Sequence, residues 1–367
     1  MQTDEKILKS EERVAWALRS LYSRFGYTQY KMSKFEEYAL YVRNKDFLVS
    51  DGIISFTDTS GKLLALKPDV TLSIIKNSKD EEKSTQKLYY DENVYRISKS
   101  SHAYKEIRQT GLECIGDIGI YETCEVVSLA IESLRAVSEN YVLELSHAGL
   151  FEAVLDENGL SGEYKKRAVE AISSKNEGEL VHILKDAGVY ADDNDDLSVF
   201  TRNFMSVDDA LSAIKKICKS EESQRLYNEF REIIEVLAEN RSLDCVVIDF
   251  SLTNDMSYYS GIIFRGYVDS VPTKVISGGR YDKLMKKMKR SSGAIGFAVY
   301  LDSLERLDST VKKYDVDYLV IYENDVAAAL RVAKNLAESG KSVRVEREIP
   351  EKLRYENVIY AESKGDA

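Results

Sequence analysis

One acidic residue interrupts an otherwise apolar stretch of the chain. Glu113 lies within TGLECIG, where its neighbours are typical of a strand. A carboxylate inside such a run is costly unless a hydrogen-bond donor or a cation faces it. Glu113 therefore predicts a polar site within the fold, whose other members must come from distant parts of the chain.

Three further motifs follow one another far downstream, namely SYYSG, ISGGRYDKLM and GAIGFAVYLDSL. The first contains Tyr258 and Tyr259, and the second contains Gly278, Gly279 and Tyr281. Glycine has no side chain, so a backbone or a ligand can approach it closely. Alone, the tyrosine pair could be ordinary sheet residues and the glycine pair a turn. Their occurrence together favours a binding site.

The spacing of cysteine and histidine residues gives no support to metal or nucleophile chemistry. The four cysteines form no CxxC pair, and His147 and His182 have no second ligand at metal spacing. His102 lies in a polar loop, where we expect it to be exposed. We predict no metal, no cofactor and no catalytic triad, and we expect reduced thiols in a cytoplasmic protein.

The composition indicates a globular protein. The chain has 367 residues, of which 44% are hydrophobic and 31% charged, enough for two or three domains. Its net charge of -11 argues mildly against a broad nucleic-acid-binding face, which would be basic. No run reaches the ~18 apolar residues of a spanning helix. The N-terminal MQTDEKILKSEERV is too polar for a secretory signal. We expect neither a nucleic-acid nor a membrane partner.

Hydrophobic periodicity predicts the elements that would position these residues. Helical spacing covers residues 6–26 and 123–138. The stretch FLVSDGIISFTDTSGKLLAL predicts a hairpin that enters a loop at Pro68, with a helix after that proline. KLYYDENVYRIS and IRQTGLECIGD predict two antiparallel strands, and GIIFRGYV and TKVISGG predict another pair.

The chain divides into three regions by pattern. Residues 148–241 carry continuous helical periodicity rich in Glu and Lys, which predicts a helical insertion. The flanking residues 1–147 and 242–312 would then form one core. Residues 313–367 predict a short β-α-β unit with one further strand.

In order and spacing, the motifs resemble those of the histidyl-tRNA synthetase family of class II aminoacyl-tRNA synthetases. The resemblance covers roughly residues 5–147 and 242–310. It includes the tyrosine pair, the GGRYD turn and the AIGF segment, which we expect to be an amphipathic helix. The resemblance implies an α+β fold in which an antiparallel sheet of six or seven strands is flanked by helices, in a core that is usually dimeric.

The resemblance also implies roles for individual residues. LALKPDVT resembles the family loop that grips the amino group of histidine, with Asp69 and Thr71 at the gripping positions, although both could instead cap the following helix. Arg96 matches an arginine that bridges the ATP phosphate and the amino-acid carboxylate, although it could be a structural ion-pair partner. Gln109 and Glu113 match the pair that reads the imidazole. The implied histidine-binding residues are Asp69, Thr71, Arg96, Gln109, Glu113, Tyr258, Tyr259 and Tyr281.

Two cations that the family uses in catalysis are not matched. The arginine of the family motif RGLDYY falls on or near Asn254, and the arginine of GLER falls on Ser303. Adenylate formation needs positive charge where the phosphates develop negative charge, and losing one preorganised donor costs ~3 kcal/mol or more. The resemblance therefore implies a retained amino-acid pocket without synthetase activity.

A retained pocket, lost catalytic cations and a partial C-terminal unit resemble the regulatory subunits of ATP phosphoribosyltransferase. These accompany the short-form catalytic subunit at the first step of histidine biosynthesis. The resemblance implies a non-catalytic chain that activates this partner in a hetero-oligomer, with histidine as feedback effector, bound in the old substrate pocket or at the subunit junction. Two alternatives remain open: an active histidyl-tRNA synthetase with a truncated tail, and a stand-alone histidine sensor.

Overall fold

The computed structural model describes residues 8–48, 52–79, 85–98, 101–189, 197–202, 204–240, 242–252, 258–308 and 313–361, without the side chains of residues 305–308. The chain forms two compact units, Met1–Leu307 and Asp308–Ala367. Among the described residues, no helix is long and apolar enough to cross a membrane.

The first unit contains helices, strands and short 3-10 helices. Its helices are α1 (Ser10–Arg24), α2 (Tyr38–Arg43), α3 (Thr71–Asn77), α4 (Ile120–Val137), α5 (Ala148–Glu157), α6 (Gly162–Ser173), α7 (Glu177–Asp186), α8 (Val207–Ile217), α9 (Glu221–Glu239) and α10 (Asp282–Lys287). Its strands are β1 (Thr28–Gln29), β2 (Phe35–Glu37), β3 (Ser55–Thr57), β4 (Leu63–Leu66), β5 (Gln86–Ile97), β6 (Tyr104–Gly116), β7 (Tyr141–His147), β8 (Val246–Ile248), β9 (Ile262–Val268), β10 (Ile276–Arg280) and β11 (Gly293–Tyr300). The 3-10 helices are Lys45–Phe47, Leu197–Thr201 and Leu301–Asp308.

One large sheet organises the first unit. In the described part of the chain it has eight strands in the order β1-β5-β6-β11-β10-β9-β7-β8. Neighbours are antiparallel except at the two ends, where β1 pairs with β5 and β8 with β7 in parallel. The α+β prediction is confirmed, although the sheet has eight strands rather than six or seven. A smaller antiparallel sheet, β2-β4-β3, contains the predicted hairpin.

The prediction of an amphipathic helix at AIGF is wrong, because this segment forms the central strand β11. Four consecutive residues of it are buried, and both of its edges are paired, with β6 and with β10. Ile295, Phe297 and Val299 face the helical layer, while Gly296 and Ala298 lie on the opposite face. Branched and aromatic residues suit such a position, and pairing on both sides outweighs local helix propensity.

Most other predicted elements are confirmed. The first helix ends just before Gly26, whose positive φ of 81° terminates it as expected. The helix after Pro68 begins at Thr71. Strands β5 and β6 pair antiparallel along their whole length, from Gln86 opposite Ile115 to Ile97 opposite Tyr104.

The two faces of the large sheet are covered differently. One face packs against α1, α4 and the helices of the 148–241 region in one continuous apolar core. The other face packs against the smaller sheet, α3 and α10 in a second core that includes Tyr90 and Tyr281. Between this second layer and the sheet, small residues of the central strands leave space.

The 148–241 region is helical, as its pattern predicts, and contains α5 to α9. Its side chains share the core of the large sheet, and the proposed division of the first unit into core and insertion stays a prediction. In the second unit, α11 (Val326–Glu338) follows β12 (Val316–Ile321), and β13 (Val343–Glu346) and β14 (Tyr355–Tyr360) flank β12 in parallel.

Candidate functional site

A cavity of about 280 Å³ lies over the open face of the large sheet. We call it the polar cavity. Its walls come from the 3-10 helix at Lys45–Phe47, the start of α3, the strands β5, β6, β10 and β11, and the residues just before β9. Every residue that the sequence implies for histidine binding lines it: Asp69, Thr71, Arg96, Gln109, Glu113, Tyr258, Tyr259 and Tyr281.

Glu113 is the centre of a buried hydrogen-bond network in this cavity. Only 2% of the residue is exposed. The Thr71 hydroxyl donates to Glu113 Oε1 at 2.7 Å, and the Tyr281 hydroxyl donates to Oε2 at 2.5 Å. Burial raises the pKa of Glu113 to about 8, although both hydroxyl donors lower it. The Glu113 carboxyl is therefore mostly protonated at neutral pH and can share that proton with a bound ligand.

Space for the Glu113 carboxyl is created by the strand beside it. Gly296 lies opposite Glu113 in the β6–β11 pair. A Cβ atom added at Gly296 would lie 1.8 Å from Glu113 Oε2 and 2.4 Å from the backbone oxygen of Leu112. Only glycine is compatible with this arrangement. The glycine of the AIGF motif therefore contributes to the site by leaving room for the Glu113 carboxyl.

The segment from Pro68 to Thr71 brings an acceptor pair to the cavity. Asp69 Oδ1 accepts from the backbone N–H of Leu72 at 2.9 Å, which is a helix-capping contact and supports the alternative reading for this residue. Thr71 does not cap, because its hydroxyl donates to Glu113. The Thr71 oxygen also has a hydrogen bond with the Tyr258 side chain, and its second lone pair can accept from a ligand. Burial raises the pKa of Asp69, and the Leu72 contact and the charge of Arg96 oppose that rise.

Arg96 supports the same segment from the neighbouring strand. Its Nε donates to the backbone oxygen of Pro68 at 2.9 Å, and its charge acts on Asp69. This structural role was the alternative left open by the sequence. Since Arg96 also lines the cavity, its guanidinium can meet a ligand anion from the same position.

Gln109 carries an unused donor. Only 3% of the residue is exposed, and its Nε2 has no hydrogen-bond partner among the described residues. A buried amide without a partner is costly, and bound ligands or water commonly satisfy such groups. The Gln109 side chain therefore marks a polar position in the cavity that a ligand could fill.

The three tyrosines form an aromatic wall. The ring of Tyr258 lies 4.8 Å from that of Tyr259 and 5.7 Å from that of Tyr281, measured between centroids, and Phe47 adds a further ring at 6.0 Å from Tyr258. Such a wall suits a flat ring of a ligand. Burial raises the pKa of Tyr258 and Tyr281 well above the usual value, so both hydroxyls stay protonated.

Several cavity residues were missed in the sequence. Lys274, Ser277 and Tyr300 line the polar cavity, as do Tyr90 and Phe47. Lys274 Nζ donates to Ser277 Oγ at 3.3 Å and lies 5.9 Å from the centroid of the Tyr300 ring. The β9–β10 and β10–β11 pairings bring these residues to the cavity, and no local pattern signals that register.

The structure describes one of the two positions at which the family has an arginine and this chain does not. Asn254 lies outside the described residues. Ser303 is half-buried in the 3-10 helix after β11 and offers no charge. Counted without a gap from AIGF, the glycine of GLER falls on Tyr300, whose ring lines the cavity. The letters LER recur at residues 304–306, one turn further along the 3-10 helix.

The arrangement suits recognition of an amphoteric ligand with a flat ring. Among the described residues, carboxylates, hydroxyls, a guanidinium and an ammonium lie around aromatic rings in one partly open cavity. Within the described ranges, no group of three or more His, Cys, Asp or Glu residues is placed to hold a metal ion.

Comparisons with known proteins identify the family to which the chain belongs. The family model described as histidyl-tRNA synthetase matches residues 3–304. A curated protein of Oceanobacillus iheyensis named ATP phosphoribosyltransferase regulatory subunit is 25% identical over 354 residues, which cover 94% of this chain and 87% of that protein. The resemblance to these regulatory subunits is thus found along nearly the whole chain.

Solved structures share the fold. A Bacillus halodurans chain described as an ATP phosphoribosyltransferase regulatory subunit/histidyl-tRNA synthetase is 22% identical, with a TM-score of 0.78, and the match covers 98% of this chain and 100% of that one. A chain of an ATP phosphoribosyl transferase complex from Thermotoga maritima is 19% identical, with a TM-score of 0.62 and coverage of 79% and 97%. The family model spans most of the sequence, and the chain therefore belongs to the histidyl-tRNA synthetase family.

Proposed function

We propose that this chain is a regulatory subunit of ATP phosphoribosyltransferase that senses histidine in the polar cavity. In this proposal it has no activity alone, and it activates a short-form catalytic subunit that joins ATP to phosphoribosyl pyrophosphate. The name shared by relatives along nearly the whole chain supports the subunit role. The buried Glu113 network is the observation that carries the sensing role.

Histidine carries an imidazole, an ammonium and a carboxylate, and the cavity offers a group suited to each of them. In the proposed pose, Glu113 meets the imidazole, and Asp69 and Thr71 accept from the α-ammonium. The wall of Tyr258, Tyr259 and Tyr281 covers the ring. An ammonium needs several acceptors and an imidazole needs a carboxyl in its plane, and the cavity offers both within one space.

The alternative of an active synthetase is disfavoured by charge. The family places a cation where this chain has the uncharged Ser303, and Tyr300 occupies the neighbouring glycine position. Losing a preorganised donor at a developing charge costs about 3 kcal/mol in the transition state. Exchange of labelled pyrophosphate into ATP in the presence of histidine tests this alternative directly, and we expect none.

The subunit role is tested by reconstitution. We expect the purified chain to raise the rate at which a short-form catalytic subunit produces phosphoribosyl-ATP, and to produce none by itself. The matched control is the same catalytic subunit with an unrelated acidic protein of similar mass. Equal rates with and without this chain would overturn the subunit role, even if histidine binds to it.

We also propose that the synthetase-like core forms a dimer within the larger assembly. An isologous contact closes on itself and limits association to two copies. Light scattering of the isolated chain should then give about twice the monomer mass of 41.6 kDa. A monomer at micromolar concentration, both alone and with the catalytic subunit, would contradict this expectation.

The pKa of Glu113 makes histidine binding depend on pH in both directions. Between the pKa of imidazole, about 6.5, and that of Glu113, about 8, the free cavity holds one proton and the free ligand ring none. A complex that shares that proton between carboxyl and ring forms without net proton exchange. Below about pH 6.5 the free ring is also protonated, so binding must release one proton. Above about pH 8 the free carboxyl and the free ring are both deprotonated, so binding must take up one proton. Affinity should therefore fall on both sides, by up to about tenfold per pH unit.

Calorimetry between pH 5.5 and 9, repeated in buffers of different ionisation enthalpy, measures both the affinity and the protons exchanged. Asp69 and the tyrosines Tyr90, Tyr258 and Tyr281 are the other titratable groups that interact with Glu113. The Glu113→Gln variant is the control, because it should lose the contribution of Glu113 to the alkaline limb and keep that of the ligand amine. An affinity that rises steadily through pH 8.5 would contradict this account.

A further inference from the structure

The polar cavity has a second group of donors at a distance from Glu113. Gln109, Ser277 and Lys274 all line the cavity and all present N–H or O–H groups. Gln109 Nε2 is buried without a partner among the described residues, and Lys274 Nζ donates to Ser277 Oγ. Gln109 lies opposite Tyr300 in the β6–β11 pair, and Lys274 Nζ lies near that same ring.

These donors and Glu113 face different parts of a ligand. Gln109 and Glu113 are on the same face of β6, four residues apart, which is about 13 Å along a strand. Gly111 lies between them, and a Cβ atom added there would be 2.6 Å from the Tyr90 hydroxyl, so that hydroxyl occupies the space between. One imidazole ring does not bridge this separation. If Glu113 meets the ring, Gln109 must meet another group of the same ligand.

The charges of the cavity identify that group as an anion. Among the described residues, Arg96 and Lys274 are the cations that line the cavity, and Arg96 lies at the ammonium end, where it supports Asp69 and the Pro68 carbonyl. Lys274 is the cation at the other end, beside two neutral donors. An ammonium with an amide and a hydroxyl is a suitable donor set for a carboxylate or a phosphate.

We propose that Lys274, with Gln109 and Ser277, forms an anion subsite that holds the carboxylate of the amino acid bound at Glu113, so that Lys274 determines selectivity for a free carboxylate. This inference rests on the proposed histidine binding and adds to it the residue that distinguishes the amino acid from analogues without that group. Lys274 lies two residues before the ISGGRYDKLM motif and belongs to none of the motifs that carry the family resemblance.

Paired ligands test the subsite. Histidine and histidinol differ only in that a primary alcohol replaces the carboxylate. We expect the wild type to bind histidine more tightly than histidinol. Lys274→Met should weaken histidine by about tenfold and histidinol by less than twofold, since it removes one charge-assisted contact. Lys274→Arg should keep the preference. The control Lys62→Met removes an exposed lysine outside the cavity and should change neither affinity.

The outcomes separate this inference from the proposed function. If Lys274→Met weakens both ligands equally, or neither, Lys274 does not hold the carboxylate and the inference is overturned while histidine sensing stands. If the wild type binds no histidine, the sensing role itself fails. Titration with inorganic phosphate and with ATP forms the third arm. Phosphate binding that depends on Lys274, with unchanged histidine selectivity, would assign the subsite to phosphate and overturn the inference.

Discussion

Replacing Gly296 with alanine should abolish measurable histidine binding, with an affinity loss of about 100-fold or more. The added Cβ would lie 1.8 Å from Glu113 Oε2, so the carboxyl must leave its position between Thr71 and Tyr281. It would also lie 2.4 Å from the backbone oxygen of Leu112, so the strand pair itself must shift. The loss of both hydroxyl contacts and of the aligned carboxyl amounts to roughly 3 kcal/mol of binding.

The same substitution should lower the free energy of unfolding by about 1–3 kcal/mol, as overpacking of a core does. Calorimetry with histidine and denaturant unfolding measure the two effects. Gly178→Ala in α7 is the matched control, because the nearest atom to its new Cβ would be 3.7 Å away. Unchanged histidine affinity in Gly296→Ala would mean that the Glu113 carboxyl is not part of the ligand site.

The parts of the fold that could be predicted are those with a local sequence pattern. The hairpin before Pro68, the long β5–β6 pair and the helices of the 148–241 region all carry periodicity or turn residues that specify them. The helix prediction for the AIGF segment was wrong because this strand is covered on both faces, by helices on one and by the cavity on the other. Such a strand has few polar residues, so its sequence does not show the alternation that identifies a strand. Its pairing with β6 and β10 is a long-range property.

The candidate site was predictable where a family motif marked it, and only as a set of residues. The partners of Glu113 were not predictable from chemistry, since Thr71 lies 42 residues before it and Tyr281 lies 168 residues after it. Lys274 was missed for the same reason, because no motif contains it and only strand register brings it to the cavity. Its role therefore depends on the register of three strands, which sequence spacing does not encode.

Glu113→Ala should weaken histidine binding by tenfold to about 100-fold, because hydrogen bonds to a charged group are worth about 1.5–3 kcal/mol. The substitution leaves the ring of histidine without its carboxyl partner. It also removes the acceptor of the Thr71 and Tyr281 hydroxyls. In the assembled complex, inhibition by histidine should weaken by the same factor as binding, since an effector shifts an equilibrium only by its differential affinity for the two states.

Glu125→Ala is the matched control for this loss. Glu125 is also a buried carboxyl with a tyrosine hydroxyl partner, Tyr27, and it pairs with Lys87 away from the polar cavity. The control should lower the melting temperature and leave histidine affinity unchanged, which separates lost recognition from lost stability. If Glu113→Ala changes neither binding nor inhibition, the effector binds outside the polar cavity. Regulation would then act through the surface between the two kinds of subunit, since tight binding without a preference for one state of the complex changes no activity.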